Sequence, residues 1–185
     1  ECLDAGASTG GFTQVMLEAG ASSVVCIDVG HDQLAKELRE DPRVTNIEGC
    51  NLRELDLEKL KDLTNKEHDF KFAVADLSFI SLTLVIANLK NLAPNAQQVW
   101  LIKPQFEVGK EALGTGGVVR DPAQRAAAVS TIADSAFALG WGVRGVTASV
   151  LPGPAGNVEY FLWLGHGAPA LNPSDLDRAI EEGPS

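Results

Sequence analysis

The sequence lacks long hydrophobic runs, residues spaced as metal ligands, and an excess of positive charge. No apolar stretch approaches the roughly 20 residues that a membrane-spanning helix needs, and Asp4 interrupts the opening before a signal peptide could form. The cysteines Cys2, Cys26 and Cys50 do not have the spacing of metal ligands, so we interpret them as buried thiols in a reducing compartment. We therefore expect a soluble, cytoplasmic protein without a metal site or membrane contact.

Positive charge is scarce: the 185 residues contain 15 Lys and Arg against 25 Asp and Glu, which gives a net charge of −10. Contacts to phosphate groups need Lys or Arg, so this balance is not typical of a nucleic-acid-binding protein. If the protein binds RNA, the basic surface must be local or belong to another domain. Because the chain begins without Met and almost inside a strand, we also expect a further segment upstream.

Strand and helix patterns alternate along most of the chain, which predicts an α/β fold with a mostly parallel sheet. A closing antiparallel pair is expected at 141–150 and 158–164, and one short helix after Pro173. The main helices are predicted at 12–19, 31–40, within 51–63, at 80–92 and at 123–139. The pattern of the first helix places Phe12, Val15, Met16 and Ala19 on one face.

The first strand runs into a glycine-rich turn, and a helix is predicted from about Gly11. Gly6, Gly10 and Gly11 let the backbone approach a ligand, and the first N–H groups of a helix have no partners within it. The spacing G-x-x-x-G-G differs from the dinucleotide pattern G-x-G-x-x-G, and Asp4 would repel a pyrophosphate. A cationic cofactor with a ribose is therefore favoured, and a nicotinamide-dependent oxidoreductase is the weaker alternative.

Polar residues end four of the predicted strands: Asp4, Asp28, Asp76 and Lys103. Ligands of open α/β sheets bind outside such carboxyl ends, and Asp28 lies where an acid binds ribose hydroxyls in these folds. Each residue alone could be a helix cap or a turn residue. Together with the glycine loop they favour a cofactor cleft.

Lys103 follows the apolar run 99–102, so its side chain is expected to be partly desolvated and suited to proton transfer. Glu159 begins an apolar strand and needs a partner, for which Lys103 is the candidate. The alternatives are a lysine that extends to the surface and a structural ion pair. The long irregular segment 108–121 carries Lys110 and Arg120, which we interpret as RNA-binding residues of a lid.

The chain also carries six motifs, which in order are LDAGASTGGFT at 3–13, DVG at 28–30, DLSFISL at 76–82, LIKPQFE at 101–107, GGVVRDP at 116–122 and GNVEYF at 156–161. This combination closely resembles the TlyA (hemolysin A) family of rRNA 2′-O-methyltransferases, a branch of the FtsJ-like methyltransferases. The motifs cover most of the chain, so the resemblance is specific.

The resemblance implies a Rossmann-like class I S-adenosylmethionine-dependent methyltransferase fold. Its sheet would be seven-stranded and mostly parallel, with an antiparallel last strand and helices on both faces. Residues 1–165 would form the methyltransferase domain and 166–185 a C-terminal tail. An N-terminal S4-type RNA-binding domain, usual in the family, would lie upstream of this sequence.

The family also implies a Lys-Asp-Lys-Glu catalytic tetrad. Asp76, Lys103 and Glu159 match its last three members, and the first lysine is expected upstream. Lys103, held by Asp76 and Glu159, would lower the cost of removing the proton of a ribose hydroxyl. The implied cofactor-binding residues are Asp4, Gly6, Ser8, Thr9, Gly10, Gly11, Phe12, Asp28, Val29, Asn51, Leu52 and Asp76.

We therefore predict an enzyme that uses S-adenosylmethionine to methylate a ribose 2′-hydroxyl, with cytidine of 16S or 23S rRNA as the implied target. Its partners would be rRNA or ribosomal subunits. The alternatives are a non-catalytic S-adenosylmethionine-binding module and a hemolysin, with the oxidoreductase less favoured. The sequence does not indicate an oligomeric state.

Overall fold

The computed structural model describes residues 1–109, 111 and 113–184, and it divides the chain into two compact units. The first unit comprises Glu1–Asp76 and Val85–Gln97, and the second comprises Leu77–Leu84 and Gln98–Ser185. Seven strands belong to a mixed sheet. The strands of each unit are described in turn.

The first unit contains four parallel strands in the order β3-β2-β1-β4. Their bounds are β1 Cys2–Ala5, β2 Val24–Ile27, β3 Val44–Ile47 and β4 Phe72–Ala75. Every residue of β2 is buried, as is typical of a central parallel strand covered on both faces. The helices of this unit are α1 Gly11–Glu18, α2 Lys36–Arg39, α3 Leu57–Thr64 and α4 Ile86–Leu92.

Local sequence signals explain where α3 begins and ends. The Asp56 carboxylate accepts a hydrogen bond from the backbone N–H of Lys59 at 2.9 Å, which is the usual N-cap arrangement. Asn65 adopts a left-handed conformation and ends the helix. Leu60 is fully buried on its inner face. The charged helix predicted within 51–63 is thus confirmed.

The buried face of α1 differs from the predicted one. The sequence pattern placed Val15 on the inner face, but this side chain is 60% exposed, and Thr13, Met16 and Leu17 are buried instead. The cause is a polar contact: the Thr13 hydroxyl donates to the buried Asp4 carboxylate at 2.5 Å. That hydrogen bond turns Thr13 inward and rotates the helix away from the hydrophobic prediction.

The helix predicted at 31–40 is wrong over its first half, because only the four residues of α2 are helical. Asp32 has a positive φ of 57°, and its N–H donates to the Glu48 carboxylate at 2.9 Å. The N-cap residue Ala35 has ψ 142°, which is not helical. The polar segment before α2 therefore follows a turn that is bonded to the end of β3.

The helix predicted at 80–92 is interrupted. A short 3-10 turn, Leu82–Leu84, comes first, and α4 begins only after Val85, whose φ of −128° and ψ of −4° are not helical. The N–H of Leu82 donates to the Glu107 carboxylate at 2.9 Å. A contact with a distant part of the chain thus fixes the start of this turn.

The second unit contains three strands in the order β5-β7-β6, and both neighbouring pairs are antiparallel. Their bounds are β5 Gln97–Ile102, β6 Trp141–Ala148 and β7 Tyr160–His166. The helices are α5 Pro104–Glu107, α6 Pro122–Ala138 and α7 Pro173–Glu181. The closing antiparallel pair predicted from the sequence is confirmed.

The long helix α6 begins as its sequence predicts. The Asp121 side chain accepts a hydrogen bond from the Ala123 N–H at 2.9 Å, and a proline occupies the first turn. The fully buried rings of Trp100 and Trp141 meet edge to face, with centroids 5.5 Å apart, in the core of this unit. Helix α7 packs on α6 and β6. The division of the chain at residue 165 stays a prediction.

The predicted fold class is confirmed: the sheet is mixed, with parallel strands in the first part of the chain and antiparallel strands at its end. In the part of the chain that the structure describes, no helix combines the length and the apolar composition needed to cross a membrane.

Candidate active site

Three strands of the first unit end at the same level. Ala5, the last residue of β1, pairs in register with Ile27 and Ala75, the last residues of β2 and β4. The residues that follow them, Gly6, Asp28 and Asp76, therefore leave the sheet at one edge. The Gly6 N–H donates to the carbonyl of Ile27 at 2.8 Å, and the Asp76 N–H donates to that of Ala5 at 2.9 Å.

The glycine loop, residues 6–11, has a fixed shape. Gly6 and Gly10 have positive φ values of 85° and 96°, which glycine adopts without strain, and Ser8 between them has a positive φ of 46°. The Gly10 N–H donates to the carbonyl of Ala7 at 2.7 Å. A Cβ at Gly10 would lie 2.2 Å from Cδ1 of Leu38, so the loop packs directly against α2.

The remaining predicted cofactor residues of the loop lie at its end. The carbonyl of Thr9 accepts a hydrogen bond from the Ala35 N–H at 3.1 Å, and the Thr9 residue is exposed. Gly11 begins α1, and Phe12 is half-buried in its first turn. A Cβ at Gly11 would meet no atom within 4 Å among the described residues.

Asp28 joins the turns that follow β1 and β2. Its Oδ2 accepts a hydrogen bond from the Ser8 N–H at 2.8 Å, and its Oδ1 accepts one from the Gly30 N–H at 2.7 Å. Val29, which lies between Asp28 and Gly30 in the turn after β2, is 69% exposed. A carboxylate oxygen can accept more than one hydrogen bond, so this arrangement is compatible with binding a ribose diol.

Asp4 is fully buried near this edge. Its Oδ2 accepts the Thr13 hydrogen bond, while Oδ1 is buried without a hydrogen-bond partner among the described residues. Burial raises the pKa of Asp4 to about 6; the Thr13 hydrogen bond opposes this shift, and the charges of Asp76 and Asp28 add to it. Three neighbouring carboxyl groups make this edge favourable for a cation.

The segment after β3 reaches the same edge. The Cys50 N–H donates to the carbonyl of Asp28 at 2.9 Å. The next residue, Asn51, caps a 3-10 turn by accepting a hydrogen bond from the Arg53 N–H at 3.1 Å. Leu52 is buried in that turn. Asn51 and Leu52 thus follow a residue that is bonded to Asp28, and their role in cofactor binding stays a prediction.

In the second unit, Lys103 and Glu159 adjoin the last residue pair of the antiparallel strands β5 and β7. Ile102, the last residue of β5, pairs with Tyr160, the first residue of β7. Lys103 follows Ile102 and Glu159 precedes Tyr160, so both residues lie at the same end of these two strands. Glu159 is only 6% exposed, and the Lys103 Nζ donates to Oγ of Ser78 at 2.9 Å.

The Glu159 carboxylate is enclosed from two sides. The Gln105 Nε2 donates to its Oε1 at 2.9 Å. A Cβ at Gly153 would lie 2.5 Å from the same oxygen, so the turn before β7 passes directly over it. The carboxylate has little freedom to rotate.

The last two residues of α5 fix the segment that carries Ser78. The ring of Phe106 packs against Phe79, with centroids 5.2 Å apart. The Glu107 carboxylate accepts hydrogen bonds from the Ser81 hydroxyl at 2.5 Å and the Leu82 N–H at 2.9 Å. Burial raises the pKa of Glu107, and these two hydrogen bonds oppose the shift.

Phe79 is an exposed and strained aromatic residue. It is 91% exposed and has a positive φ of 66°, which is a rare conformation for a bulky side chain. It directly follows Ser78, the hydrogen-bond partner of Lys103. Strain of this kind is most often kept where it serves function.

Asn157 anchors the irregular segment that precedes α6. Its Oδ1 accepts a hydrogen bond from the Val119 N–H at 2.9 Å, and its Nδ2 donates to the carbonyl of Gly117 at 3.1 Å. Asn157 is 2% exposed. Arg120, next along the chain, is exposed. Lys110, the other predicted RNA-binding residue, lies outside the described residues.

Sequence reasoning missed Ser78, Gln105 and Asn157 as site residues. Each lies in a motif that was recognised, within two residues of a predicted catalytic residue. That proximity was the available signal. A single sequence does not show where such a polar side chain finds its partner, because the partners are 25 to 54 residues away along the chain.

The remaining titratable groups do not form a metal site. Among residues 1–109, 111 and 113–184, no group of His, Cys, Asp and Glu side chains could hold a metal ion. Burial raises the pKa of the Cys26 thiol to about 12. This thiol lies 3.0 Å from the Thr13 hydroxyl and stays protonated at neutral pH.

Comparison with known sequences shows one family. Residues 1–166 match the FtsJ-like methyltransferase family. The chain is similar to the 16S/23S rRNA (cytidine-2′-O)-methyltransferase TlyA of Mycobacterium tuberculosis, with 52% identity over 189 residues. That alignment covers 99% of this chain and 68% of the relative, so the chain spans about two thirds of the relative's length.

Solved structures with a similar fold include a hemolysin-named protein and a methyltransferase. A hemolysin-named protein from Lactococcus lactis is 38% identical, with a TM-score of 0.89 over 98% of this chain and 86% of that one. An S-adenosylmethionine-dependent methyltransferase from Mesorhizobium loti is 16% identical, with a TM-score of 0.61 over 90% of each chain. The latter likeness concerns the fold alone.

Proposed function

The chain belongs to the FtsJ-like methyltransferase family, and on that premise we propose that it transfers a methyl group from S-adenosylmethionine to a ribose 2′-hydroxyl of ribosomal RNA. The observation that carries this proposal is the position of Lys103 and the buried Glu159, each adjoining the last residue pair of β5 and β7. A lysine held by an acid at the ends of strands suits the removal of a proton from a hydroxyl group.

The first unit offers residues that fit S-adenosylmethionine. When bound, this cofactor supplies a methyl group activated by a positively charged sulfur. The buried Asp4 oxygen, which has no hydrogen-bond partner among the described residues, and the nearby Asp76 favour such a cation. Asp28 would bind the ribose hydroxyls, and the backbone of the glycine loop would approach the cofactor without side chains in the way. Val29, Asn51 and Leu52 would flank the adenine.

Residues of the second unit would act on the RNA hydroxyl. Lys103 would bind the 2′-hydroxyl and lower the cost of removing its proton, and Glu159 would hold Lys103 in place. Asp76 is assigned to the same catalytic set by its place in the family motif. Because the methyl group is already activated, correct orientation of the hydroxyl supplies much of the rate.

Two exposed side chains are candidates for RNA contact. The ring of Phe79 offers a face on which a base of single-stranded RNA can stack, beside the hydrogen-bond partner of Lys103. Arg120 can bind phosphate, and Lys110 has the same assignment from the sequence. By analogy with the named activity of the M. tuberculosis relative, cytidine is the proposed nucleotide. With rRNA as the proposed substrate, the proposed location of the protein is the cytoplasm.

The direct test is methyl transfer by the purified full-length gene product. The protein is incubated with ribosomal subunits or rRNA and S-adenosylmethionine that carries a labelled methyl group, and the RNA is then hydrolysed in alkali. A 2′-O-methyl group prevents cleavage of the adjacent phosphodiester, so the label is expected in alkali-resistant dinucleotides.

Two other results would contradict the proposal. Label recovered in mononucleotides would indicate methylation of a base and would overturn the assigned ribose chemistry. Binding of the cofactor without any label in RNA would favour the alternative of a non-catalytic binding module.

A further inference from the structure

Gln105 is linked to two candidate catalytic residues, Lys103 through the chain and Glu159 through a hydrogen bond. It is the second residue of the four-residue helix α5, which begins directly after Lys103 with Pro104 in its first turn. Proline fixes the backbone there, so the positions of Lys103 and Gln105 are tied to each other. The amide of Gln105 reaches Glu159, 54 residues further along the chain.

The contact between Gln105 and Glu159 sets the direction of the carboxylate. Oε1 accepts the Gln105 amide hydrogen at 2.9 Å. The Gly153 backbone lies so near that a Cβ there would be 2.5 Å from Oε1 and 3.1 Å from Cδ. With Oε1 held in this way, rotation of the carboxylate would break the hydrogen bond. The plane of the Glu159 carboxylate is therefore set by Gln105 and Gly153.

One polar atom of the Gln105 side chain makes no hydrogen bond to the described part of the chain that would stabilise the fold. Its Oε1 is buried without a hydrogen-bond partner among the described residues. A buried amide oxygen in that condition destabilises the folded state, and an apolar side chain of the same length would avoid this penalty. A side chain that keeps this penalty on one atom while its other polar atom is directed at the Glu159 carboxylate indicates a role in the reaction.

We propose that Gln105 is a positioning residue for methyl transfer, which orients the Glu159 carboxylate so that it holds Lys103 in its reactive position. This inference rests on the proposed function. It assigns Gln105 no contact with the cofactor or the RNA.

The test uses Gln105→Met in the full-length protein, with kcat, the KM for RNA and the Kd for S-adenosylmethionine measured separately. Methionine has nearly the same length but cannot donate the hydrogen bond. We expect kcat to fall roughly 10- to 100-fold, as for misplacement of a reacting group. The KM and the Kd should stay within about twofold. The melting temperature should fall only slightly, because the lost hydrogen bond to the buried Glu159 is partly offset by removal of the Gln105 oxygen that has no described partner.

Gln105→Glu gives a second, independent measurement. This variant keeps the length but places another carboxylate beside Glu159, and neighbouring like charges disfavour ionisation. We expect its kcat to fall as well, and the acidic limb of its pH–rate profile to move to higher pH than in Gln105→Met. A residue with only a structural role would not produce that difference.

The matched control is Gln14→Met. Gln14 also donates from Nε2 to a glutamate Oε1, that of Glu18, at 2.9 Å, but this pair is exposed on α1. The kcat of Gln14→Met should equal that of the unsubstituted protein. If only Gln105→Met lowers kcat, the effect comes from the position of the hydrogen bond to Glu159 and not from the loss of any Gln–Glu hydrogen bond.

Two results would overturn the inference while leaving the proposed function intact. One is a kcat for Gln105→Met within about twofold of the unsubstituted protein. The other is a joint loss of melting temperature, cofactor affinity and kcat, which would make Gln105 a structural residue. If the unsubstituted protein shows no turnover at all, the proposed function is overturned, and this inference is overturned with it.

Discussion

In the first unit backbone amides hold the Asp28 carboxylate, whereas in the second unit other side chains hold Lys103 and Glu159. Asp28 accepts hydrogen bonds from the N–H groups of Ser8 and Gly30, and both donors lie in turns that follow strands. In the second unit, Lys103 is bonded to Ser78 and Glu159 to Gln105. These contacts join side chains at 25 and 54 residues' separation.

The two arrangements suit different tasks. A frame of backbone amides is fixed by the fold itself, so a change that disturbs this frame alters both the stability of the fold and the ligand site that it presents. A network of side chains can orient a proton-handling group, and it can be broken by one substitution without unfolding the protein. We therefore expect changes in the first unit to affect stability and cofactor binding, and changes in the second to affect turnover.

The largest effect is expected for Lys103→Ala. Loss of a group that handles the hydroxyl proton should reduce methyl transfer by about 10²- to 10⁴-fold. The Kd for S-adenosylmethionine, measured by calorimetric titration, should stay nearly the same because the cofactor residues are elsewhere in the sequence.

A matched control for this change is Lys71→Ala. Lys71 is an exposed lysine that pairs with Asp69, and its replacement should leave turnover unchanged. Normal turnover by Lys103→Ala, with the control also normal, would remove Lys103 from the mechanism.

The glycine loop offers an internally controlled test of the first unit. Gly10 and Gly20 share a φ of 96°. A Cβ at Gly10 would meet Leu38 Cδ1 at 2.2 Å and Leu34 Cδ1 at 2.7 Å, whereas Gly20 has no described atom within 4 Å of that position. Gly20→Ala should cost about 1 kcal/mol of backbone strain. Gly10→Ala should cost about 2 to 4 kcal/mol because both leucines must also move.

Urea unfolding measures both glycine variants, and titration with S-adenosylmethionine measures their cofactor affinity. Only Gly10→Ala should lose affinity. Equal destabilisation of the two variants, with binding retained in both, would show that the packing of the loop on α2 does not matter.

A smaller effect is expected for Asp4→Asn. The folded-state pKa of Asp4 is raised from 3.8 to about 6, so the folded protein binds this proton more tightly than the unfolded chain does. The stability that Asp4 contributes is fully present below pH 3.8 and is lost as the pH rises to about 6. Asp4→Asn should therefore be more stable than the unsubstituted protein at pH 7, by about 1 to 3 kcal/mol.

Urea unfolding of both proteins between pH 4 and pH 7 tests this prediction, with the difference expected to shrink to near zero at the acidic end. Asp4→Asn should also bind the cationic S-adenosylmethionine less tightly while binding its neutral, demethylated product almost as before. A stability difference that does not depend on pH would show that the buried Asp4 carboxylate is already compensated.

The sequence was most informative where local signals determine structure. The strands β1, β2 and β4, the helix start after Gly10 and the N-cap of α6 follow from hydrophobic runs, glycines and an Asp-Pro pair. The sequence was least informative where a polar contact decides the outcome. The face of α1 was wrong because the Thr13 hydroxyl binds Asp4, which no hydrophobic pattern reveals.

Some residues of the candidate site could likewise be predicted from the sequence, and others could not. Asp28 and Asp76 could be placed beside the glycine loop because parallel strands end at a common edge. Gln105 could not be assigned, because α5 is only four residues long and its partner is distant in sequence. The joint action of Asp76 with Lys103 and Glu159 stays a prediction from the family motif.

Mapping of ribose methylation in cellular rRNA tests the central claim most directly. rRNA is analysed by mass spectrometry from cells that lack the gene and from the same cells carrying either the unsubstituted full-length gene or its Lys103→Ala variant. We expect at least one 2′-O-methyl group to be missing without the gene, restored by the unsubstituted protein and not restored by the variant. Identical ribose-methylation maps in all these cells would contradict the account.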